Sequence, residues 1–270
     1  MLIAQLTDLH VRPVGVAAYR VVETNMLTER ALRSVMTYRP DVLLLTGDLT
    51  DCGLASEYAV LAEMLGRLVD IPVLAIPGNH DRREVMAAHL PGIPVNDGFV
   101  QFVEDRFAVR LVMLDTVVPG AGHGELCPAR LGWLDATLAA APDKPTLIGM
   151  HHPPFATGIA HMDTIALRQR TEFRGLLARH RQVQRVICGH HHRPIVASLG
   201  QAIGSIAPSV AHQVELDLRD GAPSAFVLEP PAFELHRWSA EDGFVSHVAM
   251  VERFAGPFPF LADPDYPGRS

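Results

Sequence analysis

Five short runs of Asp, His and Asn recur along the chain: Asp8-Leu9-His10, Gly47-Asp48, Gly78-Asn79-His80-Asp81, His151-His152-Pro153-Pro154 and Gly189-His190-His191-His192. Seven of these side chains can donate an oxygen or a neutral imidazole nitrogen to a borderline-hard cation, and none of them is a thiolate. That donor chemistry points toward zinc, iron or manganese. Seven donors exceed what one tetrahedral site uses. They suit two ions sharing a carboxylate, about 3.5 to 4 Å apart, the arrangement that clamps the attacking and leaving oxygens in phosphoryl transfer. The residues therefore point to hydrolysis of a phosphate ester.

To bring such distant residues together, the chain needs elements that end at one rim. Short apolar runs at 2–6, 42–45, 73–76, 111–114, 146–150 and 186–188 read as buried strands. Amphipathic stretches near 24–39, 55–69, 128–140 and 164–181 read as helices, with Ser56 as a candidate N-cap and Pro40 closing the first. This alternation defines an α/β chain. Each polar motif begins where an apolar run stops, the usual place for ligands in such sheets. In an extended segment, residues i and i+2 share a side. Asp8 then pairs with His10 and His190 with His192, while Leu9 and His191 face away. The same rule admits only one of His151 and His152 and does not choose between them. After residue 195 the pattern turns to short β-rich pieces at 203–206, 210–216, 233–238 and 244–251, read as a second sheet or its edge. The proline-rich tail has no periodicity and is expected to drape over the surface or a neighbouring subunit.

The chain has 270 residues, is 48% hydrophobic and carries a formal charge of -7. That size accommodates one main domain with a sizeable core. The charge argues against duplex nucleic acid as a partner, and the basic clusters at 168–174 and 179–185 read as helix surface. A pair of divalent ions still brings about +4 locally, enough to draw a small anionic ester. Cys52, Cys127 and Cys188 form no C-x-x-C pair, which suggests neither a zinc ribbon nor a disulfide framework and fits a reducing compartment. With no signal-like start and no long apolar window, the expectation is a cytoplasmic chain without a membrane partner.

The five motifs, in this order, resemble the signature of the calcineurin-like metallophosphoesterase superfamily: D-x-H, G-D, G-N-H-[DE], a His before the last strands, and G-H-x-H. The His151-His152-Pro153-Pro154 run, the Gly47–Gly53 loop followed by Glu57-Tyr58, the His212-Gln213 pair and the β-rich C-terminal third look most like the GpdQ-type glycerophosphodiesterases and the related class III cyclic-nucleotide phosphodiesterases. The resemblance implies a four-layer αββα sandwich, with a catalytic domain over 1–250, a β-rich cap or oligomerisation part near 195–250, and a tail over 251–270. It implies one metal on Asp8, His10, Asp48 and His192 and another on Asp48, Asn79, His151 and His190, with Asp48 bridging. It thereby selects His151 over His152. Iron, zinc or manganese are the implied metals, with cobalt usable in vitro. His80 matches the histidine nearest the substrate and is expected to act as acid or electrostatic stabiliser. Asp81 is expected to hold His80, and His152 and His191 to support the ligands. His161 and His212 are expected near the substrate.

What the resemblance implies is a phosphodiesterase that cleaves 3′,5′-cyclic nucleotides or glycerophosphodiesters by attack of metal-bound hydroxide, in a homo-oligomer. In protein phosphatases of the superfamily, G-D-x-x-D-R-G carries an arginine that clamps a monoester dianion; here Cys52 takes that position. A diester, with one negative charge, needs that contact less. The rivals are a phosphomonoesterase, a nuclease or a nucleotide-lipid pyrophosphatase on the same scaffold, or a scaffold module without catalysis. Of the fourteen histidines, His89, His123, His180, His236 and His247 are read as ordinary structural or surface residues.

Overall fold

The computed structural model describes residues 1–259, so the tail expected over 251–270 lies outside the described residues from 260 onward. Two sheets face each other. The first contains β1 (Leu2–Leu6), β2 (Val42–Thr46) and β3 (Val73–Ile76) in parallel, extended from β1 by the antiparallel β12 (Ala232–Ser239) and β13 (Gly243–Met250). The second runs β4 (Phe102–Glu104), β5 (Arg110–Met113), β6 (Thr146–Gly149), β7 (Val183–Cys188), β9 (Ala202–Ile206), β8 (Ile195–Leu199), with β4 and β8 as antiparallel edges. The β-rich pieces after 195 thus do not form a sheet of their own. They complete both sheets, and only the short ribbon of β10 (Gln213–Val214) and β11 (Phe226–Val227) stands apart.

Side-chain alternation along β5 shows how the layers are built. Leu111 and Met113 face the first sheet's core, whereas Val112 and Leu114 join a second core with Leu134, Leu138, Phe173 and Leu177. Those last four come from α4 (Pro128–Ala139) and α6 (Arg170–Arg179), which cover the outer face of the second sheet. On the opposite side, α1 (Thr24–Thr37), α2 (Ala55–Leu68) and α3 (Arg83–His89) bury Leu32, Val35, Tyr58, Leu61 and Met86 against the first sheet. The result is a four-layer αββα sandwich. Strands buried on both faces read as unbroken apolar runs, as 42–45 does.

Two helix expectations change. α2 starts at Ala55 with Leu54 as N-cap, not Ser56, because the buried carboxylate of Glu57 accepts from the backbone N–H of both Cys52 and Leu54, at 3.0 Å each. The helix expected over 164–181 is interrupted. A short α5 (Ala160–Asp163) precedes α6, and residues 164–169 turn their backbone outward: Leu167 N–H donates to Pro153, Gly124 N–H to Ala166 and Arg168 N–H to Gly124. Cross-chain hydrogen bonds there outcompete helix propensity.

Between the sheets lies a buried polar chain. Gln5 Nε2 donates to Thr46 Oγ1 and to the Cys188 carbonyl, both at 2.9 Å, while its Oε1 accepts from His236 Nε2 at 3.0 Å. Ser246 bonds His236 Nδ1 at 2.7 Å and accepts from Arg185, and Ser205 donates to Glu234 at 3.1 Å. Arg185, expected on a helix surface, is instead 6% exposed on β7.

Candidate metal centre

Asp8 and His10 follow β1, Asp48 follows β2, Asn79 and His80 follow β3, His151 follows β6, and His190 and His192 follow β7. All seven expected donors reach one rim, but not by strand alternation. Asp8, His10, Asp48, His190 and His192 have φ of 53°, 45°, 48°, 73° and 51°, so the motifs are left-handed turns rather than extended segments. Asp and His tolerate that region better than branched residues do, and the strain it costs is characteristic of functional sites. The turned backbone sends Leu9 into the core, fully buried, and puts the neighbouring donors on the other side.

Glycines make the approach possible. A Cβ at Gly78 would overlap Asp48 Oδ1, one at Gly47 would overlap the His151 ring, and one at Gly189 would overlap Thr7 Oγ1 and stand 2.9 Å from Asp8 Oδ2. At Gly47, φ of +98° adds a second requirement for glycine.

Each imidazole is oriented by giving one nitrogen to the protein. His151 Nδ1 donates to the Thr46 carbonyl at 2.9 Å, His192 Nδ1 to the His212 carbonyl at 2.9 Å, His190 Nε2 to the Ile165 carbonyl at 3.1 Å, and His10 Nδ1 to Asp51 Oδ1 at 3.1 Å. That fixes the tautomers and leaves the other nitrogen of each ring with a lone pair. In the neutral tautomers that ligation requires, the freed atoms meet without a hydrogen to share. His10 Nε2 lies 3.2 Å from His192 Nε2, and His151 Nε2 lies 3.2 Å from Asn79 Oδ1 and 3.3 Å from Asp48 Oδ2. His192 Nε2 is also 3.3 Å from Asp8 Oδ1, and His10 Nε2 is 3.8 Å from Asp48 Oδ2. Buried acceptors facing acceptors are costly unless a cation lies between them. This donor set fits divalent ions, and Asp8, His10, Asp48 and His192 form one compact group of potential ligands.

The electrostatics agree. Burial raises the cost of ionising Asp48, yet His151, His80 and His10 hold its carboxyl well below the usual range. Burial likewise opposes charge on His151, but Asp48 and Asp8 push its pKa up to about 9, so at neutral pH a proton on Nε2 competes with a cation for the same place. The cleft attracts positive charge.

The structure also separates His151 from His152. His152 spends both nitrogens, Nδ1 on the Thr116 hydroxyl at 2.7 Å and Nε2 on the Gly122 carbonyl at 3.2 Å, so it braces a loop. His191 is fully buried, with Asp163 Oδ1 3.7 Å from its Nε2. Among the described residues, Asp81 makes no hydrogen bond to the His80 ring. Its carboxylate accepts from Gly78, Leu49 and Thr50 N–H groups and from the Tyr58 hydroxyl, tying the second and third motifs together. His80 is held instead by the Asp51 carbonyl, 2.7 Å from its Nδ1, and its backbone N–H donates to Asp48 Oδ1 at 2.9 Å. Burial lowers and Asp48 and Asp51 raise the His80 pKa, with a net rise.

Asp51 is the principal residue that sequence reasoning missed. It orients His10 through its carboxylate and His80 through its carbonyl, three residues after Asp48 in a loop already singled out. Arg12 was missed too. Its Nη1 lies 2.8 Å from Cys52 Sγ, 2.7 Å from Glu57 and 3.3 Å from Asp51, so two carboxylates already balance its charge. A cavity of about 390 Å³ opens over the donors, walled by Tyr19, His161, Met162, His212 and Phe226. Tyr19 and Phe226 pack at a tilt of 34°, with ring centroids 5.0 Å apart, and edge onto His212, whose pKa falls to about 2 through burial and the neighbouring His192 and His10. His161 has both ring nitrogens without a partner among the described residues.

Residues 1–194 match the family model described as calcineurin-like phosphoesterase. The chain is 36% identical to a protein of Arcobacter nitrofigilis named "Probable glycerophosphodiester phosphodiesterase GpdQ", over 96% of this chain and 97% of that one. It is 38% identical to a probable cyclic nucleotide phosphodiesterase of Rhodopseudomonas palustris, over 96% and 95% of the two chains. A dimetal phosphatase from Danio rerio shares the fold at a TM-score of 0.60, with 15% identity over 93% of this chain and 99% of that one. The chain belongs to the calcineurin-like phosphoesterase family, whose members are phosphoric ester hydrolases. Among the described residues, no helix is long and apolar enough to cross a membrane.

Proposed function

We propose that this chain hydrolyses small phosphodiesters, glycerophosphodiesters or 3′,5′-cyclic nucleotides, at a dinuclear centre. One ion would be held by Asp8, His10, Asp48 and His192, and the other by Asp48, Asn79, His151 and His190. The observation that carries this reading is Asp48 Oδ2, which faces His10 Nε2 on one side and His151 Nε2 on the other, at 3.8 and 3.3 Å. A carboxylate so placed offsets repulsion between two cations. When bound, such ions, iron, zinc or manganese, neutralise phosphoryl charge and lower the pKa of water.

The chain's own groups do the rest. His80, oriented by Asp51, keeps Nε2 for the substrate and supplies a proton or a hydrogen bond to the departing alcohol oxygen. Thr46, Ile165, Asp51 and His212 hold the imidazoles in the tautomers that ligation needs, and Asp81 keeps the second and third motifs in register. Tyr19, Phe226, His161 and His212 form a wall for the arm of the substrate that stays on phosphorus. Glu57 and Asp51 already balance the charge of Arg12, which favours a singly charged diester over a monoester dianion.

Turnover of bis(p-nitrophenyl) phosphate after supply of Mn²⁺, with a slower rate on p-nitrophenyl phosphate, is the expected result. No diester turnover after metal reconstitution would overturn the proposal, and a preference for the monoester would overturn its diester assignment.

A further inference from the structure

A second cavity, of about 530 Å³, adjoins the first and shares Asn79 and His80 with it. Its other walls come from the Asp51-Cys52 turn, the start of α3 and the Val117–Gly120 loop. The phosphoryl group belongs with the donors that line the first cavity, and a diester has two arms. We infer that the second cavity receives the departing alcohol, and that Arg82 favours alcohols carrying an anionic group. This rests on the phosphodiesterase reading above.

Two features support the assignment. His80 lines both cavities, so an alcohol that takes its proton from His80 can lie in the second while the phosphoryl group stays with the donors of the first. Hydrolysis forms a P–O bond to water oxygen and breaks the P–O bond to the alkoxide, which leaves with the His80 proton. The second feature is the state of the charges along this wall. Asp51 is committed to His10 and Arg12, Asp81 to backbone N–H groups, and Arg83 to Asp115 and the Val117 carbonyl. Among the described residues, Arg82 alone of the arginines on this wall has a guanidinium with no hydrogen bond or ion pair from the protein.

Arg82 is exposed, but its backbone and the root of its side chain are held in place. Its backbone N–H donates to the Tyr58 hydroxyl at 3.1 Å, and its stem lies over Gly53, where a Cβ would meet Arg82 Cγ at 2.6 Å. Gly53, with φ of +68°, thus both makes the turn and leaves room for that stem. A guanidinium presented in this way matches a carboxylate or phosphate. Glu84, two residues on and also without an ion pair, opposes anions and keeps the preference modest.

The test uses a matched pair of substrates, methyl 3-carboxyphenyl phosphate and methyl 3-carbamoylphenyl phosphate, whose departing phenols differ in charge at similar size. In the metal-loaded enzyme, Arg82→Gln should lower kcat/KM for the carboxylate substrate about fivefold relative to the carboxamide, mainly through KM. Arg82→Glu should lower that ratio further, and Arg82→Lys should restore most of it. Equal effects on both substrates, with the wild-type enzyme turning over both, would overturn the role of Arg82 and leave the diesterase reading intact. Turnover of neither substrate by the wild-type enzyme would overturn both.

Discussion

Replacing Glu234 by Gln probes the polar chain that joins the two sheets, and the magnitude follows from where the carboxyl sits. Glu234 is 3% exposed, with a hydrogen bond from Ser205. Burial is the largest influence on it, and although Ser205 and Arg185 favour the charged form, its pKa rises from 4.5 to about 7. The folded protein therefore holds this proton across a pH range in which the unfolded chain has lost it. Stability from this group is fully present below pH 4.5 and falls as pH rises toward 7, by about 3 kcal/mol in all. His236 acts in the opposite sense, because burial lowers its pKa from 6.5 to about 3 and the folded protein keeps it neutral. Its contribution is lost as pH falls below 6.5. Urea unfolding of wild type and Glu234→Gln, both in chelator so that metal linkage is removed, isolates the carboxyl because His236 is common to the two. Between pH 4.5 and 8 the stability difference should move by about 3 kcal/mol in favour of the variant. A difference that stays constant across that range would refute the claim that Glu234 retains a proton between the sheets.

Three further outcomes follow from the site. His80→Ala should retain bound metal yet lower kcat on bis(p-nitrophenyl) phosphate by about 10²-fold, and an unchanged kcat would remove His80 from the reaction. Asp51→Ala should weaken metal binding about 10- to 100-fold in competition titrations by freeing His10, and wild-type affinity would show that the His10 tautomer is set elsewhere. Gly189→Ala should destabilise the fold by about 2 kcal/mol and impair metal uptake, because the added Cβ overlaps Thr7 Oγ1 and crowds the Asp8 carboxylate. A variant with wild-type melting temperature and metal content would contradict that packing.

The strands of the two parallel cores were legible because burial on both faces leaves continuous apolar runs. Predicted 73–76 coincides with β3, and 42–45 falls one residue short of β2. The convergence of the seven donors was legible from their position after those runs. The pairing of Asp8 with His10 and of His190 with His192 does not come from strand alternation, because that rule assumes extended backbone and all four residues are in left-handed turns. Composition does not display φ. The short β4 and α3 escaped notice because three and seven residues carry too little periodicity to register. The wall of the cavity was hidden for a different reason. Tyr19 lies in a loop after the first motif and Phe226 in a two-residue strand, and only the tertiary fold sets them beside His212. Carbonyl partners such as Thr46 and Ile165 carry no side-chain signal at all, although they decide which imidazole nitrogen is free.

Anomalous diffraction from crystals grown with excess Mn²⁺ tests the central claim most directly. The account predicts two peaks per chain, about 3.5 to 4 Å apart, with Asp48 between them and His10 and His151 on opposite sides. A single peak at saturating metal, or peaks away from Asp48, would contradict it.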